Sequence, residues 1–358
     1  MSERTLVIAE AGVNHNGSLD MALQLLDAAA DAGADVVKFQ TFRATRLATS
    51  SAARAQYQVA NTGEHGSQVA MLRSLELSEE DHGVLFARAR QRDIRFMSTA
   101  FDAESLAFLA RLGVTALKIG SGDLTCAPLL LQAARLRMPL ILSTGMSTLG
   151  EIEQALAVIA YGMTVERQPA AREDFAAALH SREGRQALED RVTLLHCVTE
   201  YPAPAASVHL RAMDTLAAAF GLPVGYSDHT LGTEVSIAAV ARGARVIEKH
   251  FTLDRALPGP DHPASLEPGE LAALVRAIRN VELALGSPLK QPSSQELSNR
   301  VAARRSLVAS RAIRKGEEFT IDMLDAKRPG GGLSPMQAWN VVGTKAGRDY
   351  EPDEPIES

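Results

Sequence analysis

The sequence predicts an α/β fold: a closed (β/α)8 TIM barrel over residues 1–285, a linker at 286–299 and a small C-terminal domain at 300–358. Three observations predict it. Eight short apolar runs, β-branched in part, alternate strictly with longer helical stretches, and such alternation builds a parallel sheet. Eight units in roughly 280 residues is the size of a closed barrel. Polar residues gather at the carboxyl ends of the runs, which is where barrels carry their chemistry. An open doubly wound sheet is the other topology that such alternation allows.

Each unit is readable in turn. The runs fall at 5–10, 35–41, 94–99, 116–120, 139–144, 192–198, 223–227 and 245–251. The helical stretches fall at 19–32, 78–92, 103–112, 127–136, 149–160, 208–220, 233–242 and 268–285. Ser18 and Ser78 stand at N-cap positions, the second with Asp81 three residues on. Gly33, Gly113 and Gly243 follow three helices, where a glycine relieves the left-handed turn. Two insertions interrupt the pattern. Residues 43–77 form a polar loop after the second run, at the end where loops cover a barrel site, and 164–191 is charged and predicts a short surface helix. Residues 286–299 are rich in Pro, Ser and Gln and read as a linker; the remaining 300–358 read as short strands and turns, too few for a large core of their own.

Composition narrows the class. Hydrophobic residues make up 46% of the 358, enough to fill a core. The net charge of −6 argues against a nucleic-acid partner. The first apolar run is too short for a secretory signal, and no window reaches the length of a membrane span, so no membrane association is expected. Two cysteines, Cys126 and Cys197, stand far apart in a chain too large to need staples. A reducing, cytoplasmic setting follows.

Strand side chains alternate between faces, so a polar residue inside a buried parallel strand is informative. Glu10 shares a face with Ile8, and Lys38 with Gln40. Lys118 precedes Gly120-Ser121-Gly122-Asp123, and Ser143 precedes Thr144-Gly145. Ser227 shares a face with His229, and Glu248 with His250. His229 and His250 end adjacent strands, about 4.8 Å apart. Two imidazoles there can hold an open octahedral divalent ion completed by water and substrate oxygens, or can serve as ordinary hydrogen-bonded side chains. Lys38, Lys118, Ser121, Ser143 and Ser227, with the nearby glycine amides, suit a phosphate or carboxylate, although a lysine in a barrel can instead pair with Glu10 or Glu248. There is no Walker A motif and no strand-linked GxGxxG, so nucleotide binding has no support.

These motifs resemble the sialic acid synthases, a family that makes N-acetylneuraminate, legionaminate and pseudaminate. The matching stretches are IAEAGVNHNGS (8–18), VKFQTF (37–42), STAFD (98–102), LKIGSGDL (117–124), LSTGM (142–146), LLHCVTEYPAP (194–204), VGYSDHTLG (224–232), EKHFTLD (248–254), PGPDHPASL (258–266) and KRPGGGLSP (327–335). They are ordered and span nearly the whole chain. The resemblance implies a barrel with a C-terminal antifreeze-like (SAF) domain. It also implies a homodimer with exchanged C-terminal domains, in which Arg328 of the KRPG motif approaches the sugar. The implied substrates are phosphoenolpyruvate and an N-acylaminosugar, first N-acetylmannosamine, giving phosphate and a nine-carbon 2-keto sugar acid. By the same resemblance a divalent ion, Mn²⁺ ahead of Mg²⁺ or Co²⁺, sits on His229 and His250 and polarises the sugar aldehyde. Glu10 is the implied acid/base. Lys38, Thr99, Lys118, Ser121, Ser143 and Ser227 would hold phosphoenolpyruvate, and Gln40, Asn61, Asp123, Tyr201, Glu248, Asp261 and Arg328 would face the sugar. Asn14-His15-Asn16-Gly17 and Thr199-Glu200-Tyr201-Pro202 take the form common in legionaminate-type members, which makes a 2,4-diacetamido-2,4,6-trideoxy hexose the alternative substrate. Two more distant readings are a Schiff-base aldolase on Lys118 or Lys38 and a sugar-binding protein without turnover.

Overall fold

A computed structural model of the protein describes residues 4–63 and 66–357. Eight parallel strands close into a barrel in sequence order. They are β1 (Leu6–Gly12), β2 (Val36–Thr41), β3 (Arg95–Ala100), β4 (Leu117–Ile119), β5 (Leu140–Ser143), β6 (Val192–Cys197), β7 (Val224–Asp228) and β8 (Val246–His250). The closure pairs β1 with β8, Glu10 lying opposite His250. The chain divides into two compact units, Met1–Gly286 and Ser287–Ser358.

The strands sort their residues by parity. Val7, Ala9, Val37, Phe39, Leu117, Leu142, Leu194 and Ile247 join one large apolar cluster with helix residues such as Leu26, Leu85, Leu109, Leu130, Ile159 and Leu274. The opposite parity gives a separate, smaller cluster of Ile8, Val36, Met97, Ile141, Leu195 and Val246. This second set plugs the amino end of the lumen. Two residues further along the same strands stand Glu10, Lys38, Thr99, Ser143, Cys197 and Glu248, all buried. The lumen therefore changes from apolar to polar along its length, as the alternation rule requires. Gly225 on β7 is lumenal too: a Cβ there would collide with Val246 O and approach Leu195 Cδ2 within 2.7 Å.

Helix boundaries follow their caps. Ser18 accepts from Met21 N at 3.3 Å, and Ser78 and Asp81 form a reciprocal capping box. Gly113 ends its helix at φ +89°. Several expectations need correction. Segment 43–77 is not an irregular loop; it holds helices Ala44–Leu47, Gln56–Thr62 and Gln68–Ser74, the first and third packed through Val13, Phe42, Ala44, Met71, Leu72 and Leu75. Segment 164–191 holds two helices, Glu173–His180 and Arg182–Arg191, because the Ser181 hydroxyl caps the second while closing the first. The stretch expected to be helical from 208 starts only at Ala212, since His209 takes a φ of +48°.

The second unit has its own core of Leu307, Ala309, Ile313, Phe319, Met323, Ala338, Val341, Ala346, Tyr350 and Ile356. Two antiparallel strands, β9 (Ser306–Ala309) and β10 (Leu324–Lys327), run through it. The expected linker is partly ordered: helix Ser294–Ala303 begins within it, capped by Ser293 and Glu296. Among the described residues no helix is long and apolar enough to cross a membrane. Cys126 and Cys197 are both free thiols.

Candidate active site at the carboxyl end of the barrel

The lumenal charges form one network. Lys38 Nζ lies 2.7 Å from Glu10 Oε2 and 3.5 Å from Glu248 Oε2, and it donates to Thr99 Oγ1 at 3.0 Å. Lys118 Nζ lies 3.5 Å from Glu248 Oε1, which also accepts from Ser227 Oγ at 2.8 Å. Gln40 Nε2 reaches Glu10 Oε1 at 3.5 Å. Two ammoniums thus balance two carboxylates, so the pairing of lysine with Glu10 and Glu248 that the sequence left open is present here. Taking four charges out of water is costly, and their mutual pairing and the Thr99 and Ser227 hydroxyls offset that cost.

Their surroundings set the four groups apart. Burial, only partly offset by Lys38, and the charge of Glu248 raise Glu10 to about 7. Burial also pushes Glu248 upward, but Lys118, Lys38 and the Ser227 hydroxyl outweigh it and hold that carboxyl below its ordinary range. Burial would lower Lys38, yet Glu10 and Glu248 together raise it. Lys118, with weaker pairing, is lowered by its burial. Two neighbouring carboxyls pushed in opposite directions are the pattern of an acid/base pair, with Glu10 the group able to exchange a proton near neutrality.

Around this chamber lie buried polar atoms without hydrogen-bond partners among the described residues: Ser143 Oγ at the end of β5, Thr199 Oγ1 after β6, Asp123 Oδ2 after β4 and His250 Nδ1 at the end of β8. Such groups are rare away from sites that a ligand completes. Ser121 is more occupied than the sequence implies. Its Oγ accepts from Gly145 N at 3.0 Å and lies 3.1 Å from Cys197 Sγ. A Cβ at Gly145 would run into Thr199 and come within 2.8 Å of Ser121 Oγ, so only glycine lets this turn close on the two hydroxyls.

Aromatic side chains pack on the two histidines. The Tyr201 ring lies 4.1 Å from that of His229 and 5.7 Å from that of His250, centroid to centroid. Tyr57, from helix Gln56–Thr62, packs on Tyr201 at 4.9 Å. Burial raises Asp123 and Asp261 to about 6 each. Asn61 does not aim its carboxamide into an open site. It donates to Pro260 O at 2.6 Å and to Tyr201 O at 3.4 Å, which ties the loops after β8 and β6 together. Arg328 is exposed and follows β10 in the second unit.

The imidazoles of His229 and His250 lie 5.6 Å apart, centroid to centroid. His229 Nδ1 donates to Val198 O at 2.6 Å, which leaves Nε2 with its lone pair. Burial brings His229 down to about 4, and burial helped by the neighbouring His229 lowers His250 well below its ordinary value. Both rings are therefore neutral, the form that binds metal, and the unpartnered Nδ1 of His250 is a vacant donor. Among the described residues no group of three or more His, Cys, Asp or Glu is arranged to hold an ion. The donor set fits an open divalent ion that draws its other ligands from water and substrate, and not a closed structural zinc.

Two contributors were absent from the sequence reading. Thr199 continues the lumenal parity of Leu195 and Cys197, and that alternation, extended one step past the strand, was the signal for it. Tyr57 lay in a segment read as loop and left no comparable signal.

The model of the NeuB family matches residues 25–290, and that of the SAF domain matches 304–357. The chain is 46% identical to the N,N'-diacetyllegionaminic acid synthase of Campylobacter jejuni, covering 99% of each chain. It is 46% identical to the synthase of the same name from Legionella pneumophila, over 95% of this chain and 89% of that one. Human N-acetylneuraminate-9-phosphate synthase is 35% identical, over 98% of this chain and 90% of that one. Among solved structures, the N-acetylneuraminic acid synthetase of Leptospira borgpetersenii, determined with citrate, superposes with a TM-score of 0.67 at 33% identity, over 83% of this chain and 90% of that one.

Proposed function

Because the chain belongs to the NeuB family, whose members condense phosphoenolpyruvate with a sugar, we propose that it joins phosphoenolpyruvate to a 2,4-diacetamido-2,4,6-trideoxy hexose, releasing phosphate and forming a nine-carbon 2-keto sugar acid. The sequence put N-acetylmannosamine first. Two relatives at 46% identity are legionaminic acid synthases and the human sialic acid enzyme stands at 35%, which favours the diacetamido sugar instead.

The observation that carries this reading is the paired-lysine chamber ringed by unpartnered polar atoms. Lys38, Lys118, Thr99, Ser121, Ser143 and Ser227 would hold the phosphate and carboxylate of phosphoenolpyruvate, with ammoniums and hydroxyls preorganised for negative charge. Gln40, Asp123, Tyr201, Glu248 and Asp261 would line the sugar, with Asn61 acting through the loops it ties. C3 of phosphoenolpyruvate forms the new bond to C1 of the open-chain aldehyde, whose oxygen takes up a proton. Water then adds at C2, the C2–O bond to phosphorus-bearing oxygen breaks, and phosphate leaves. Glu10, raised to about 7, would take the proton from that water. His229 and His250 would hold a divalent cation, Mn²⁺ before Mg²⁺ or Co²⁺, and when bound it supplies electrophilic polarisation of the aldehyde. Arg328 would reach the sugar from the C-terminal unit of a second copy in a homodimer. Two free thiols, one of them exposed, fit a reducing cytoplasmic setting.

The test is phosphate release from phosphoenolpyruvate with Mn²⁺, offering the 2,4-diacetamido sugar or N-acetylmannosamine, each with an EDTA control. The expected result is release with the diacetamido sugar, abolished by EDTA. Preference for N-acetylmannosamine would restore the sequence's first choice, and silence with both would overturn the reaction.

A further inference from the structure

The two histidines end their strands in front of a second charge pair that lies behind the barrel wall. Asp228 on β7 and Lys249 on β8 face each other in register, each one residue before a histidine. Alternation turns both away from the lumen, toward helix Glu234–Ala241. Both side chains are fully buried, with Lys249 Nζ 3.0 Å from Asp228 Oδ2. The same Oδ2 accepts from Ser236 Oγ at 2.6 Å. Asp228 Oδ1 accepts from Thr230 N at 2.8 Å, Thr230 Oγ1 at 2.7 Å and Tyr226 OH at 3.3 Å. Lys249 Nζ completes the arrangement by donating to Thr230 O.

This pair brackets His229. Its carboxylate lies on the residue before the histidine and binds the amide and hydroxyl of the residue after it, while the lysine binds that residue's carbonyl. The same lysine is the residue before His250. A buried ion pair contributes little net stability compared with apolar side chains of similar volume, so stability alone does not account for it. Its directional contacts do fix one arrangement of two strand ends.

We propose that Asp228 and Lys249 are positioning residues that set the separation and orientation of His229 and His250, and thereby the protein's affinity for a divalent cation. The inference rests on the reading of those histidines as cation ligands. It is tested on the full chain, stripped of metal, by titrating Mn²⁺ and following the free-ion electron paramagnetic resonance signal, which does not depend on turnover. The charge-free double variant Asp228→Asn with Lys249→Met is expected to bind Mn²⁺ at least tenfold more weakly. Ser236→Ala, which removes one donor from Asp228, is expected to weaken it about threefold. Leu109→Ala, a core truncation in the helical layer, should lower the melting temperature and leave Mn²⁺ affinity unchanged, which separates positioning from general loosening. A folded double variant binding within twofold of wild type overturns the inference. If the double variant does not fold, unchanged affinity in Ser236→Ala overturns it. Wild-type protein that binds no Mn²⁺ overturns the cation reading itself, and this inference with it.

Discussion

Ser143 shows how a single side chain separates structural from functional roles. Its hydroxyl is buried at the end of β5 and has no partner among the described residues. A structural serine in that position would lose a hydrogen bond on truncation, whereas this one has none to lose. Ser143→Ala should therefore leave stability unchanged or raise it by up to about 1 kcal/mol. The same change should raise KM for phosphoenolpyruvate about fivefold, the worth of one hydrogen bond, and leave KM for the sugar alone. Lys118→Ala should act in the same direction and more strongly, at least about tenfold, because a charged donor is lost. Thermal melts and initial-rate kinetics on the two variants check this. A Ser143→Ala protein that melts lower with unaltered kinetics would place the hydroxyl in the scaffold.

At the scale of elements, the barrel and its lumen were legible because they obey a rule of period two. Ile8 and Glu10, or Val246 and Glu248, are forced onto one face whatever else the chain does. What escaped the sequence was short. Helices Ala44–Leu47, Gln56–Thr62 and Gln68–Ser74 are too brief to show a period; the first and third owe their form to packing around Phe42, Met71 and Leu72, and the second to the contacts of Tyr57 and Asn61. Ser181 divides one charged stretch into two helices through contacts that no spacing announces. The chamber residues were found by parity, but Tyr57 and the bracing of Tyr201 depend on where a folded insertion lands. That brace makes a prediction of its own. Helix Gln56–Thr62 holds the Tyr201 wall through the Tyr57 ring and Asn61. Tyr57→Ala should raise KM for the sugar about fivefold, the worth of one aromatic pair, with KM for phosphoenolpyruvate unchanged. Tyr57→Phe, which keeps the ring, should behave as wild type. Equal effects of both substitutions would show that the hydroxyl and not the stacking matters.

At the scale of the whole molecule, two sets of buried groups oppose each other in their response to pH. His15 and His262 are lowered to about 4 by burial, and His82 is lowered as well. A base depressed in the folded state contributes stability that is present above its unfolded value of 6.5 and is lost as pH falls through about 4. Asp123 and Asp261 are raised to about 6 by burial. An acid raised in the folded state contributes stability that is present below its unfolded value of 3.8 and is lost as pH rises through about 6. Between pH 4 and 6.5 the two slopes oppose each other, so the raised acids blunt the loss of stability that the depressed histidines cause as pH falls. Removing one set exposes the other. Asp261→Asn, which replaces a buried carboxylate with a neutral amide, should stabilise the protein at pH 7.5 by up to ~3 kcal/mol, the equivalent of its raised pKa, and by nothing near pH 3.5. It should also make the acid limb steeper. Guanidinium unfolding at intervals from pH 3.5 to 7.5 measures both. The same substitution should weaken sugar binding, because a carboxylate held charged above pH 6 at this cost in stability is one that a site requires and a core does not. A variant as unstable as wild type at pH 7.5 would mean that the Asp261 carboxyl is solvated and its burial carries no cost.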